Sequence, residues 1–108
     1  MLVLFDHGTP SGIARALVGH VVVEARERGW DRLSNGDLLN AAEAAGFQVL
    51  LTTDKNIQYQ QNLAGLRISI LVLGNSQWPV VRLHLAGIAA AVNAAKPGNY
   101  TEVDIPSR

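Results

Sequence analysis

Short apolar runs recur along this chain, and each is followed by polar residues or by a stretch with helical spacing. Uninterrupted aliphatic and β-branched residues are typical of strands that are buried on both faces of a parallel sheet. The pattern therefore predicts strands at Leu2–Phe5, Val21–Val23, Val49–Thr53 and Ile68–Leu73. A weaker alternation over Tyr100–Ile105 predicts a terminal strand or an arm.

Helices are predicted between these strands. The first covers residues 10–18 and places Ile13, Leu17 and Val18 on one inward face. Ser34 precedes Asp37 by three residues, which resembles a capping box with Asp in place of the usual Glu. The other helical segments are predicted at Glu24–Arg28, Asp37–Ala45, Asn56–Leu63 and Val80–Ala95.

Strands and helices thus alternate, which predicts an α/β fold. We expect a three-layer sandwich around a mainly parallel sheet of four or five strands, with helices on both faces. The length of 108 residues fits one domain over residues 1–108. Its core is expected over about residues 1–95, with the C-terminal strand or arm over 99–106.

The composition excludes several classes of protein. Without cysteine, the chain has neither a disulfide framework nor a thiolate metal site. No apolar stretch approaches the roughly 20 residues that span a bilayer, and the start Met-Leu-Val-Leu-Phe-Asp lacks the basic residues of a signal peptide. We therefore expect a cytoplasmic protein with no membrane partner. The formal net charge is zero, so any nucleic acid must be held by a local patch.

Two aspartates end predicted strands, and a third begins a predicted helix. Asp6 and Asp54 follow their strands directly, at the edge where ligands bind in open parallel sheets. Asp37 could join them from the start of its helix. Three converging carboxylates would repel one another, and Mg²⁺ or Mn²⁺ would relieve the repulsion and activate water for phosphodiester hydrolysis. Structural roles are the alternative: a cap for Asp54, a helix N-terminus for Asp37 and an Asx turn for Asp6.

Polar neighbours of these aspartates are candidates for further contacts. His7 is suited to a metal, a phosphate or a turn, and Lys55 to a substrate phosphate or to solvent. Thr52 and Thr53 are strand residues that could also donate hydrogen bonds to a carboxylate.

Two tryptophans, Trp30 and Trp78, lie next to predicted loops. A large aromatic side chain there is typical of a lid over the core, and a base-stacking platform is the alternative. No glycine-rich phosphate loop, nucleophile elbow or His-Glu-x-x-His pattern occurs in the sequence.

Four stretches stand in an order and spacing that resemble a known family. They are Leu-Phe-Asp-His-Gly-Thr-Pro (4–10), Gly-His-Val-Val (19–22), Asn-Gly-Asp-Leu-Leu (35–39) and Val-Leu-Leu-Thr-Thr-Asp-Lys-Asn (49–56). Together they resemble the short PIN-like family, the compact relatives of the VapC ribonuclease toxins. The resemblance covers about residues 1–75.

The resemblance implies a PIN-like fold and a Mg²⁺-dependent ribonuclease, often encoded beside an antitoxin that binds and silences it. By position, Asp6, Asp37 and Asp54 match the family's acidic metal ligands. Asn75 falls near a fourth acidic position of larger relatives but is not a carboxylate, and His7 replaces an acidic residue that is common after the first aspartate.

Three functions compete on these observations. The first is a Mg²⁺- or Mn²⁺-dependent endoribonuclease, the toxin of a bacterial toxin–antitoxin pair, whose partners are RNA and a cognate antitoxin. Its catalytic and metal-binding residues would be Asp6, Asp37 and Asp54, and its substrate-binding residues His7, Thr53, Lys55 and Asn75.

The second is a PIN-like protein-binding module with weak or absent catalysis, which the reduced acidic set favours. The third is a receiver-like phosphoacceptor domain that would use Asp54 but lacks a separate lysine at a strand end. The helix Val80–Ala95 offers a face for a homodimer, for an antitoxin or for its own sheet.

Overall fold

Five parallel strands form one sheet in the computed structural model, which describes residues 1–57 and 65–106. They are β1 (Leu2–Phe5), β2 (Val21–Glu24), β3 (Val49–Thr52), β4 (Ser69–Leu73) and β5 (Tyr100–Val103). Their order across the sheet is β2-β1-β3-β4-β5, and each neighbouring pair is parallel. The predicted α/β class is confirmed. The C-terminal segment is a strand paired with β4 rather than an arm.

Helices of two kinds connect the strands. In the described residues, the α-helices are α1 (Asn35–Ala44), α2 (Trp78–Val81) and α3 (Leu85–Asn93), and 3₁₀ helices span Ser11–Ala16, Ala25–Arg28 and Arg82–His84. Within these ranges, no helix combines the length and the apolar character that a bilayer crossing requires.

The sheet has a separate hydrophobic core on each face, because successive strand residues point to opposite sides. On one side, Phe5 of β1 belongs to a cluster with Ile88 and Val92 of α3. On the other side, Leu4 clusters with Leu38 of α1. Each of these five side chains is at most 2% exposed. Helices therefore cover both faces, as the continuous apolar strands predicted.

The strands β1 and β3 are neighbours although β2 lies between them in sequence. The chain leaves β1 for β2 on one side and then crosses to β3 on the other. In doubly wound sheets of this order, such a reversal leaves a crevice at the carboxyl ends of the two strands, where ligands bind. The loops that follow Phe5 and Thr52 border this crevice.

The start of α1 follows the sequence prediction closely. The Ser34 hydroxyl accepts a hydrogen bond from the backbone amide of Asp37 (3.3 Å), so Ser34 is the N-cap. The helix begins at Asn35, two residues earlier than predicted. The predicted short helical segment before it is confirmed as the 3₁₀ helix Ala25–Arg28, which ends at Gly29 with a φ of 75°.

The helix predicted over residues 10–18 is shorter and tighter than expected. Only Ser11–Ala16 is helical, and it is a 3₁₀ helix. Because a 3₁₀ helix has about 3 residues per turn rather than 3.6, the predicted inward face is not preserved. Ile13 and Leu17 are buried, whereas Val18, predicted to face the core, is 86% exposed.

The prediction of one continuous helix over Val80–Ala95 is wrong. A 3₁₀ turn at Arg82–His84 separates α2 from α3. His84 Nε2 donates a hydrogen bond to the carbonyl oxygen of Pro106 (3.1 Å), which ties this turn to the C-terminal segment. Helical spacing of apolar residues carries no signal for such a contact. The predicted helix at Asn56–Leu63 falls mostly outside the described residues.

Candidate active site at the carboxyl edge of the sheet

Asp6 follows β1 directly, and its carboxylate is fixed by hydrogen bonds on both oxygens. Oδ1 accepts from the backbone amide of His7 (2.7 Å), and Oδ2 accepts from the hydroxyl of Thr52 (2.7 Å). The Asp6 amide in turn donates to the carbonyl oxygen of Leu51 (3.0 Å), which extends the β1–β3 pairing by one residue. The half-buried side chain is therefore held at the crevice between the two strands.

Thr52, the last residue of β3, links the two strand-end aspartates. Its side chain is fully buried, with 0% exposure. Its hydroxyl donates to Asp6 and accepts a hydrogen bond from the backbone amide of Asp54 (3.1 Å). The prediction that a strand threonine would donate to a carboxylate is confirmed for Thr52.

Asp54 connects this pair to α1. Its Oδ1 accepts from the backbone amide of Asn56 (2.9 Å), and its Oδ2 accepts from the side-chain amide of Asn35 (2.7 Å). Because Asn35 is the first residue of α1, the helix start lies against the end of β3. A continuous hydrogen-bonded chain thus runs from Asp6 through Thr52 and Asp54 to Asn35.

The loop after β1 is pinned in the same place. The Thr9 hydroxyl donates to the carbonyl oxygen of Leu51 (2.8 Å), and the Thr9 amide donates to the Asp6 carbonyl oxygen (3.0 Å). A Cβ atom at Gly8 would lie 2.9 Å from the Thr53 hydroxyl oxygen, so this loop approaches the residue after β3 closely. The position of Asp6 is therefore set by backbone as well as by side-chain contacts.

The structure places Asp37 apart from this chain of hydrogen bonds. It is exposed in the first turn of α1, where its backbone amide is bonded to Ser34. Within residues 1–57 and 65–106, no three His, Cys, Asp or Glu side chains are grouped closely enough to hold one metal ion. Asn35, two residues earlier, reaches Asp54 instead, so Asp37 as a third ligand stays a prediction.

The predicted substrate-binding residues lie around the same edge. His7 and Lys55 are exposed, and Asn75 accepts a hydrogen bond from the Gln77 amide (2.8 Å), a local turn contact. Three of the four predicted residues share one open depression of about 280 Å³. Its lining consists of Thr53, Lys55, Leu73, Gly74, Asn75, Ser76 and Gln77.

Local turn contacts account for only part of this geometry. The bond from the Asn56 amide to Asp54 and the bond from the His7 amide to Asp6 are local contacts that the structural interpretation anticipates. The bonds from Thr52 to Asp6 and from Asn35 to Asp54 join different elements of the fold. Turn formation does not require them, so they point to an arrangement that orients both carboxylates.

The donor chemistry fits a hard divalent cation. A carboxylate offers about four lone-pair sites, and each oxygen of Asp6 and Asp54 accepts one hydrogen bond from a described residue. Mg²⁺ is bound by few carboxylates and keeps several waters. Asp6 and Asp54 are therefore the residues that would hold such an ion.

A separate cavity of about 380 Å³ lies at the opposite, amino edge of the sheet, between residues that precede β1, β3 and β5. Its carboxylate, Glu43, accepts hydrogen bonds from the backbone amides of Arg67 (2.7 Å) and Ile68 (2.9 Å). Glu43 thus holds the start of β4 against α1, which is a structural role.

Sequence reasoning missed one residue of the candidate site. Asn35 lies two residues before the predicted helix Asp37–Ala45, and from the sequence only Asp37 is assigned a role at this helix start. The signal that could have found it is its place directly after the cap Ser34, where a short polar side chain leaves the helix toward the sheet edge.

Comparison with known proteins gives no family for this chain, so any assignment of function rests on the contacts described above. No family model, no curated protein and no solved structure matches this chain. The fold and the site define an α/β protein with an all-parallel sheet and a polar, aspartate-bearing crevice at its topological switch point.

Proposed function

We propose that this chain is a PIN-like, Mg²⁺- or Mn²⁺-dependent endoribonuclease of the bacterial cytoplasm, the toxin of a toxin–antitoxin pair. The observation that carries the proposal is the hydrogen-bonded chain Asp6–Thr52–Asp54 at the β1–β3 crevice. The sequence resemblance to short PIN-like proteins supports the same assignment. A cognate antitoxin would cover the site, and RNA would be the substrate.

Each residue has a defined role in this proposal. A divalent ion, when bound, supplies an activated water and offsets the charge that grows on the phosphodiester. Asp6 and Asp54 hold that ion, and Thr52 fixes the direction of the Asp6 carboxylate. The exposed Lys55 contacts substrate phosphate beside the carboxylates. Asp37, which is exposed in the first turn of α1, is proposed as a further acidic group of the site.

An RNA cleavage assay tests the proposal. The purified chain should cut an end-labelled single-stranded RNA with Mg²⁺ or Mn²⁺ and not with EDTA. Loss of a ligand's hydrogen-bond partner costs about 10–100-fold in activity, so Asp6→Asn, which alters a ligand itself, should cost more. Asp31→Asn is the matched control, because Asp31 is exposed and makes no contact with the Asp6–Thr52–Asp54 chain within the described residues. Equal cleavage by Asp6→Asn and Asp31→Asn would overturn the nuclease proposal.

Growth of a bacterial host tests the toxin role separately. Induced expression of the wild-type chain should arrest growth, and Asp6→Asn should restore it at equal protein level. Growth arrest that persists with Asp6→Asn would show that the arrest does not depend on catalysis at this site.

A second candidate is a PIN-like protein-binding module with weak or absent catalysis. One observation favours it: in the described part of the chain, no three acidic or histidine side chains lie close enough together to hold one metal ion. Calorimetric titration with Mn²⁺ separates the two. Heat of binding that disappears in Asp6→Asn supports the nuclease, whereas no binding together with intact RNA supports the module.

A receiver-like phosphoacceptor has less support. Its chemistry needs a lysine at a separate strand end, and the residues that follow β5 are Asp104, Ile105 and Pro106. The one lysine near the edge, Lys55, directly follows Asp54. Labelling of Asp54 by acetyl phosphate would revive this candidate.

A further inference from the structure

Trp78 lies at the carboxyl edge of the sheet, where it packs on two sides. It begins α2 directly after the loop that follows β4, and its half-buried side chain packs against one of the two cores. A Cβ atom at Gly12 would lie only 2.4 Å from the indole Cη2 and 2.7 Å from Cζ2. One edge of the ring therefore lies directly against the backbone at Gly12.

The same ring lines an open depression of about 300 Å³. The lining residues are Pro10, Ser11, Gly12, Arg15 and Trp78. A packed indole beside an arginine combines a flat apolar surface with a cation. This combination suits a nucleobase stacked on the ring and a phosphate next to the guanidinium.

This depression and the one around Lys55 are built from connecting segments, two of which also carry the aspartates. The segment that connects β1 to β2 contains both Asp6 and, in its 3₁₀ helix, Gly12, and the loop after β3 contains both Asp54 and Lys55. The loop after β4 contributes Gln77 to one depression and the next residue, Trp78, to the other.

Each depression presents one cation and no carboxylate among its described lining residues. Arg15 and Lys55 are both exposed. Over residues 1–57 and 65–106, the salt bridge that forms joins Arg26 to Glu24 (3.5 Å), so neither edge cation is neutralised there. Arg15 and Lys55 are thus individual cations without a salt-bridge partner among the described residues, at an edge that also carries the carboxylates of Asp6 and Asp54 and, beside Lys55, those of Glu102 and Asp104.

We infer that this edge binds single-stranded RNA, with one base stacked on Trp78 and flanking phosphates at Arg15 and Lys55. The inference rests on the proposed function and names the form of its substrate. A duplex keeps its bases stacked on one another and offers no free face to an indole, whereas an unpaired strand does. Unpaired RNA is therefore selected over duplex RNA.

Fluorescence of single-tryptophan variants tests the inference directly. Trp30→Phe leaves Trp78 as the one tryptophan, and the matched variant Trp78→Phe leaves Trp30, since the chain has two. Each is titrated with a short oligouridylate in EDTA, where no cleavage is expected. Saturable quenching in Trp30→Phe and none in Trp78→Phe is the expected result. Equal quenching in both, or none in either, overturns the inference.

Affinity measurements extend the test to the cations. Arg15→Gln should lower the slope of log affinity against log salt by about 0.7, the value for one phosphate contact on a single strand. Arg82→Gln is the control, because Arg82 is exposed and lines neither depression. An unchanged slope in Arg15→Gln, or tighter binding of a duplex of the same length, also counts against the inference.

These experiments distinguish a failure of the stacking inference from a failure of the nuclease proposal. Replacing a stacking aromatic costs roughly 1–3 kcal/mol per base, or about 5- to 150-fold in affinity, so Trp78→Leu should weaken oligouridylate binding within that range. Circular dichroism confirms that this variant is folded, and Arg15→Gln gives an answer if it is not. Quenching without metal-dependent cleavage would support RNA binding at Trp78 and contradict the nuclease proposal. Cleavage without quenching would support the nuclease proposal and contradict RNA binding at Trp78.

Discussion

Replacing Thr52 by valine removes one hydroxyl from the centre of the candidate site and keeps the shape of the side chain. The hydroxyl is buried, donates to Asp6 Oδ2 and accepts from the Asp54 amide. Its loss therefore deprives a carboxylate of a donor and a backbone amide of an acceptor at the same time. We expect Thr52→Val to destabilise the fold.

The size of the effect follows from these two bonds. A hydrogen bond to a charged group contributes about 1.5–3 kcal/mol, and an amide left without an acceptor costs roughly 1 kcal/mol when half-buried. The added methyl group in a buried position returns about 0.8 kcal/mol. The net loss is about 2 kcal/mol, against a total stability of roughly 5–15 kcal/mol.

Thermal and urea unfolding measure this loss. For a domain of this size, about 2 kcal/mol corresponds to a fall in Tm of roughly 8 °C and to a fall in the urea midpoint of about 1 M. Thr53→Val is the matched control, because the hydroxyl of this half-buried neighbour has no hydrogen-bond partner among the described residues. Its removal should therefore change the free energy of unfolding by no more than about 0.5 kcal/mol. A Tm for Thr52→Val that equals the Tm of the control would refute the assigned role of the hydroxyl.

Three further predictions concern the edge and the segments that support it. Mn²⁺ at about 100 times its Kd should raise the free energy of unfolding by about 2.7 kcal/mol in the wild type, and thermal unfolding of Asp6→Asn should show no such gain. Glu43→Ala should cost about 2–3 kcal/mol in urea unfolding, since two backbone amides at the start of β4 lose their acceptor. Gly12→Ala should cost about 1–3 kcal/mol and shift Trp78 fluorescence, because a Cβ would meet the indole at 2.4 Å. Gly87→Ala, whose Cβ meets nothing within 4 Å in α3, should instead stabilise by about 1 kcal/mol; equal effects in the two glycine variants would contradict this reasoning.

The inner strands β1, β3 and β4 could be predicted because they are buried on both faces and are therefore apolar without interruption, whereas the edge strands β2 and β5 are partly exposed. β3 and β4 have 0–2% exposure at every residue, so their sequence runs need no partner information to be recognised. The helices were harder, since their limits depend on contacts with distant segments. The bond from His84 to Pro106 and the outward position of Val18 arise from tertiary structure that periodicity does not encode.

The two strand-end aspartates of the site could also be predicted, because the carboxyl ends of parallel strands share one edge of a sheet. The contribution from α1 could not. Whether Asn35 or Asp37 points toward Asp54 depends on how the first turn of the helix is rotated about its axis relative to the sheet. Successive residues of an α-helix differ by about 100° in this rotation. The Ser34 cap fixes where the helix starts, and the packing of Leu38 on the sheet fixes its rotation.

The hydrogen bonds that would prepare this edge for a cation also stabilise it without one. Thr52 and Asn35 satisfy carboxylate oxygens that would otherwise lie unpaired between two strands and a helix. Selection for folding alone could therefore retain Asp6 and Asp54 in a chain that no longer cleaves RNA, so their geometry supports both the nuclease and the binding module. The two differ in what happens when charge is removed. In a structural role, Asp6→Asn keeps an oxygen that can accept from Thr52 and changes little beyond stability, whereas in a catalytic role the same variant abolishes the gain from Mn²⁺ and the cleavage of RNA together.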